Sequence, residues 1–96
     1  MEETHEFVHV FAHGRVQGVG YREFARRVAE ARGVAGFVRN RADGTVEARL
    51  VAPTATLELI LADLRRGPMH ARVSELRIVA RGLAARESGF RVAPTV

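Results

Sequence analysis

The stretch GRVQGVGYRE, Gly14 to Glu23, packs three glycines into seven positions and then enters a segment of helical periodicity headed by Arg22. A helix N-terminus already carries about half a positive charge from its backbone dipole. Asp or Glu is the stabilising residue there, so an arginine needs an anion beside it. Glycines let a short loop turn successive N–H groups inward as a concave anion site. The helix that follows adds its own unpaired N–H groups at the same point. A guanidinium supplies a planar fork suited to two phosphate oxygens. The chemistry this predicts is the grip of loop amides and Arg22 on a phosphate-like oxyanion. Neither common nucleotide motif fits, because a Rossmann fingerprint would need a small residue at Glu23 and a Walker loop would need a lysine. The residues alone also allow a plainer account, in which the glycines only make a tight strand-to-helix turn and Arg22 points into solvent.

The elements that must carry this loop are readable from periodicity. His5 to Gly14 reads as a strand with Val8, Val10 and Ala12 on one face and Phe7, His9, Phe11 and His13 on the other. Gly14 to Tyr21 is the glycine-rich loop. Arg22 to Arg32 repeats apolar residues at helical spacing, with Gly33 as its stop. Gly36 to Arg41 and Thr45 to Ala52 are strands joined through Ala42, Asp43 and Gly44, an Asp-Gly hairpin signal. Pro53 and Thr54 open a second helix, with Thr54 as the expected cap and Leu57, Ile60, Leu61 and Leu64 as its buried stripe; Gly67-Pro68 ends it. Arg72 to Ala80 is a fourth strand, and Phe90 to Ala93 a short C-terminal edge strand. The order predicts an α+β fold, a ferredoxin-like βαββαβ sandwich whose antiparallel sheet carries both helices on one face. Such a fold hosts many functions and decides none of them.

Composition sets the outer bounds. Ninety-six residues, 47% apolar and 27% charged, predict one soluble globular domain over 1–96, with residues 1–4 as a flexible N-terminus. There is no cysteine, which excludes disulfides, thiolate metal sites and cysteine nucleophiles. All fifteen basic residues are arginine, so lysine Schiff-base chemistry is excluded as well; the net charge of +4 is spread along the chain rather than gathered in a tail. The acidic start, MEETHEFVHV, reads as neither a signal peptide nor a membrane span, and a cytoplasmic location is expected.

GRVQGVGYR resembles the signature of the acylphosphatase family, and GFVRNRADGTVE resembles its second block. The likeness covers roughly His5 to Val92, with both motifs in the family's order. It implies a small metal-independent hydrolase, an acylphosphatase, that cleaves the carboxyl-phosphate anhydride of acyl phosphates. The family's phosphate-binding loop falls on Arg15, Val16, Gln17, Gly18, Val19, Gly20 and Tyr21, its phosphate-binding arginine on Arg22 and its water-positioning asparagine on Asn40. Tyr21 and Phe37 stand where Phe and Trp are more usual, and Arg41 is a more basic choice than many relatives make after the asparagine. No cofactor and no metal are expected, and the partner is a small-molecule acyl phosphate met by a monomer, with neither nucleic acid nor membrane.

The implied roles suit the chemistry. An acyl phosphate has a good leaving group, so what remains is to position water and hold charge on the phosphoryl group. Loop amides and Arg22 do the second. Asn40 offers donors and an acceptor but cannot take a proton near neutral pH, so it is a positioner and no base. Without the resemblance, Asn40 also reads as a strand-end residue serving the adjacent turn. Arg39 and Arg41 fall on the opposite face and read as solvated charges. His5, His9 and His13 repeat every four residues, roughly 13 Å apart on a strand at about 3.3 Å per residue, too far to share a metal. Asp43 reads as turn chemistry. An alternative reading is a basic, non-catalytic nucleic-acid-binding module, for which Phe7 and Phe11 on one strand face are the only aromatic match. A family member that has lost activity is a third.

Overall fold

The computed structural model describes residues 3–96. The expected N-terminal tail falls partly on Met1 and Glu2, which lie outside the described residues; Glu3 and Thr4 are exposed and precede the first strand. The elements run β1 (His5–Arg15), α1 (Tyr21–Arg32), β2 (Ala35–Asn40), β3 (Val46–Pro53), α2 (Thr54–Arg66), β4 (Arg72–Leu83) and β5 (Phe90–Val92). They form one sheet in the order β4-β1-β3-β2-β5. Pairing of β1 with β3, β1 with β4 and β2 with β3 is antiparallel.

One face of this sheet is the floor of the core. Val8, Val10 and Ala12 of β1, Val38 of β2 and Val46, Ala48, Leu50 and Ala52 of β3 alternate onto it. Ala25 and Ala29 of α1 and Leu57, Ile60, Leu61 and Leu64 of α2 close over them from above. Both helices therefore cover the same face. A half-buried ion pair links their C-terminal turns, exposed Arg32 donating through Nε to Oδ2 of buried Asp63 at 2.7 Å. No helix among the described residues is long and apolar enough to cross a membrane.

Several boundaries differ from those predicted. Helix α1 starts at Tyr21, because Gly20 occupies the cap position and its carbonyl accepts the first helical bond, from Phe24 N–H at 3.0 Å. Thr54 is the first helical residue of α2 and makes no side-chain cap; Pro53, extended at ψ 149°, precedes the helix. Strand β4 runs on to Leu83, held by its long pairing with β1. The edge strand β5 pairs parallel to β2, so the five-stranded sheet is mixed around an antiparallel four-stranded centre. The cause is the route of the chain. Ala84 N–H donates to His5 O and Gly36 N–H donates to Gly89 O, so residues 84–89 cross the end of the sheet where β2 begins. Strand β5 enters from that end and must run alongside β2. It finishes beside Asn40, where Ala93 N–H donates to Val38 O and Val96 N–H to Asn40 O.

Candidate active site

The C-terminal ends of β1, β2 and β5 and the N-terminus of α1 meet at one end of the sheet. Between β1 and α1 the loop turns twice through left-handed backbone, at Gly18 (φ 73°) and Gly20 (φ 80°). A side chain at either place costs roughly 1–2 kcal/mol of backbone strain, even though both face open space. Val16 is buried in the core and anchors the loop from below. Gln17 ties it sideways: its amide nitrogen donates to Arg41 O at 2.8 Å and Thr45 O at 2.9 Å, across to the β2–β3 turn. With the loop so fixed, the N–H groups of residues 17–23 have no acceptor among the described residues. Those of Tyr21, Arg22 and Glu23 are the unpaired donors of a helix start.

Arg22 makes no hydrogen bond or ion pair with any described residue. Glu23, the one acid in that turn, does not neutralise it, because Arg26 binds Glu23 and Glu30 together. That hydrogen bond from Arg26 also holds the Glu23 carboxyl below its ordinary range. Arg22 instead lines a cleft of about 290 Å³ with Val16, Gly18, Gly20, Tyr21, Asn40 and Val92. A second cleft, about 620 Å³, lies at the other end of the sheet beside His5, Arg32, Pro53 and Arg86. It is larger, and Arg32 there is committed to Asp63.

Asn40 ends β2 opposite Val46, on the same face as Val38. Its Oδ1 is buried and has no hydrogen-bond partner, the one side-chain atom of that kind among the described residues. An unsatisfied buried acceptor costs about 1–3 kcal/mol, so a donor is wanted there. Arg22 and the free amides stand across the same cleft. One end of the molecule thus concentrates unspent donors and one unspent acceptor.

Not every residue of the expected loop faces this cleft. Val16, Gly18, Gly20 and Tyr21 line it, whereas Arg15 is exposed at the end of β1 opposite Arg72. Gln17 spends its side chain on the turn, and Val19 packs against the core. Tyr21 belongs to α1 rather than to the loop. Its buried hydroxyl donates to Leu64 O at 2.7 Å, and burial pushes its ionisation well above the ordinary phenol range. Val92 was missed by sequence reasoning, which has no local signal for where an edge strand will dock. Asp43 does serve the turn, accepting from Thr45 N–H at 3.0 Å and from the Thr45 hydroxyl at 2.6 Å.

On the sheet face away from the helices, Arg39 and Arg41 are not solvated charges. Both donate to Oε1 of Glu47, Arg39 Nε at 2.8 Å and Arg41 Nη1 at 3.1 Å, while His9 Nε2 lies 2.6 Å from Oε2. Glu47 sits opposite Arg39 in register and is only 5% exposed. Burial pushes its carboxyl up, but the hydrogen bonds from Arg39, His9 and Arg41 outweigh this and hold it at about 2. A pKa depressed from 4.5 stabilises the fold fully above about 4.5 and loses that contribution as pH falls towards 2. Urea unfolding of the wild type and Glu47→Gln should therefore differ most near neutral pH and converge over that acid window. The rings on this face are also occupied. Arg49 lies over Phe7 and Arg41 over Phe11, each about 5.4 Å from the centroid, so both rings already carry a cationic partner.

The chain is similar to known proteins along most of its length. A model of the family described as Acylphosphatase matches residues 8–92. The chain is 45% identical to an acylphosphatase of Azorhizobium caulinodans over 89 residues, covering 93% of this chain and 96% of the relative. It is 46% identical to one of Rhodospirillum rubrum over 83 residues, covering 86% and 90%. The crystal structure of acylphosphatase from Bacillus subtilis superposes with a TM-score of 0.85 at 28% identity, covering 93% of this chain and 98% of that one. With a family model matching residues 8–92 and a relative 45% identical over 93% of the chain, this chain belongs to the acylphosphatase family.

Proposed function

We propose that the cleft hydrolyses small acyl phosphates to a carboxylate and inorganic phosphate, with Arg22 and Asn40 as its catalytic residues. The observation that carries the reading is the meeting of Arg22 and the free amides of residues 17–23 with the orphaned Oδ1 of Asn40. The amides and the Arg22 fork take the phosphoryl oxygens, at a helix start whose dipole already favours anions. Asn40 Oδ1 then accepts a hydrogen bond from the attacking water and aims its oxygen at phosphorus. The water oxygen bonds to phosphorus as the bond from phosphorus to the acyl oxygen breaks, and the carboxylate leaves with that electron pair. Asn40 cannot receive the water's proton, so it passes to a phosphoryl oxygen of the substrate. Charge stabilisation and positioning suffice for this reaction.

Every group in this scheme comes from one chain, which supports a monomeric enzyme. A cytoplasmic setting fits substrates that are short-lived activated carboxylates. The test is direct: purified protein should hydrolyse acetyl phosphate or benzoyl phosphate with no added metal and with a chelator present. A folded sample that does neither overturns the reading.

A further inference from the structure

Asn40 is the last residue of β2. Main-chain bonds continue past it, Val96 N–H to Asn40 O and Arg41 N–H to Thr45 O, but its side-chain Oδ1 is held by no hydrogen bond among the described residues. Both of its chain neighbours nevertheless end on a single atom. Arg39 and Arg41 project to the opposite face and donate to the same oxygen, Oε1 of Glu47, at 2.8 and 3.1 Å. The other oxygen of that carboxylate is held by His9 from β1 at 2.6 Å, so the anchor itself is fixed from a third strand. Each guanidinium is also stacked, Arg39 over Phe37 at 5.2 Å and Arg41 over Phe11 at 5.4 Å. We propose that Glu47 is a positioning residue for the reaction: by fastening the residues on both sides of Asn40 to one buried point, it fixes the rotation of the strand end and aims the Asn40 amide into the cleft.

The placement argues for more than stability. Glu47 lies on the sheet face that no helix covers, yet it is nearly fully buried there. Burying a carboxylate is expensive, and an apolar residue of similar volume often serves stability as well or better. An apolar residue could not hold two guanidinium groups that flank one residue. The device also differs from the other ion pairs of that face, such as Arg49 with Glu87, which joins a strand to a loop and touches neither neighbour of Asn40.

The proposal rests on the role given to Asn40 above, and the experiment separates the two. Acetyl phosphate kinetics and inorganic phosphate binding are measured for the wild type, Asn40→Ala, Glu47→Gln and the Arg39→Gln/Arg41→Gln double variant, with Arg49→Gln as a control on the same face. Misaiming a positioning group by about an ångström costs up to about 100-fold in rate. Glu47→Gln is therefore expected to lose about 10- to 100-fold in kcat, with KM and phosphate affinity within about twofold of wild type. The double arginine variant should match it, and combining it with Glu47→Gln should add nothing further. Arg49→Gln should keep wild-type kinetics. If Glu47→Gln does not fold, the double arginine variant decides alone by the same criterion. Wild-type kcat in folded Glu47→Gln, or an equal loss of kcat and phosphate affinity, overturns the proposal. If Asn40→Ala itself keeps full turnover, the role of Asn40 fails, and the positioning role fails with it.

Discussion

Arg22→Ala should lose acyl phosphate hydrolysis almost completely, by about 10³-fold or more in kcat/KM, and should lose inorganic phosphate binding with it. Arginines that stabilise a transferring phosphoryl group are worth about 10³–10⁵ in rate. Arg22→Lys should be nearly as poor, because a point charge cannot offer two parallel donors to two oxygens. The fold should not notice. Arg22 has no partner among the described residues, and it adds a positive charge to a helix end that is already positive. Removing it relieves a dipole conflict worth about 0.3–1 kcal/mol, so thermal unfolding should show an unchanged or slightly raised midpoint. A variant that gains stability while losing function is the mark of a residue held for its ligand. Loss of stability together with activity would instead make Arg22 a structural residue.

Asn40→Ala should separate the two halves of the mechanism. Phosphate affinity and KM should stay near wild type, since the amides and Arg22 remain. Turnover should fall by about 10²–10³-fold, or about 2.7–4 kcal/mol of transition-state stabilisation, the scale set by removing one preorganised hydrogen-bonding group. Steady-state kinetics beside phosphate titration reads both quantities. Stability should be unchanged or raised, because the deleted Oδ1 is a buried acceptor with no hydrogen bond, a cost of about 1–3 kcal/mol that the substitution relieves. A folded Asn40→Ala with normal turnover would remove water positioning from the account.

What could be read in the sequence, and what could not, follows the range of the interactions. The alternation in HEFVHVFA and the Asp-Gly turn are local signals, and they place β1 and the β2–β3 hairpin within a residue or two of where they lie. The conflict of Arg22 with a helix start is also local, which is why a candidate oxyanion site could be suggested before any fold. Tyr21 was assigned to the loop because no polar cap announces the helix; Gly20 caps it through backbone conformation alone. Glu47 was the harder case. In TVEARLVA it alternates onto the outer face, and nothing in that segment singles it out. Arg39 and Arg41 reach it from within eight residues across the hairpin, but His9 arrives from β1, thirty-eight residues away, and no local window of sequence contains that contact. The parallel docking of β5, and with it Val92 at the cleft, likewise depends on a crossing of the sheet end by residues 84–89.

The central claim is that the amides of residues 17–23 and the Arg22 guanidinium form a receptacle waiting for a phosphoryl group. Titration of the isotopically labelled protein with inorganic phosphate, in the presence of a chelator and followed by amide and guanidinium NMR shifts, tests it most directly. The expected result is saturable movement of the N–H signals of Gly18 to Glu23 and of Arg22 Nε–H, abolished in Arg22→Ala. Signals that stay still in this loop while the cleft beside His5 and Arg86 responds, or a loop response that survives loss of Arg22, would contradict the account.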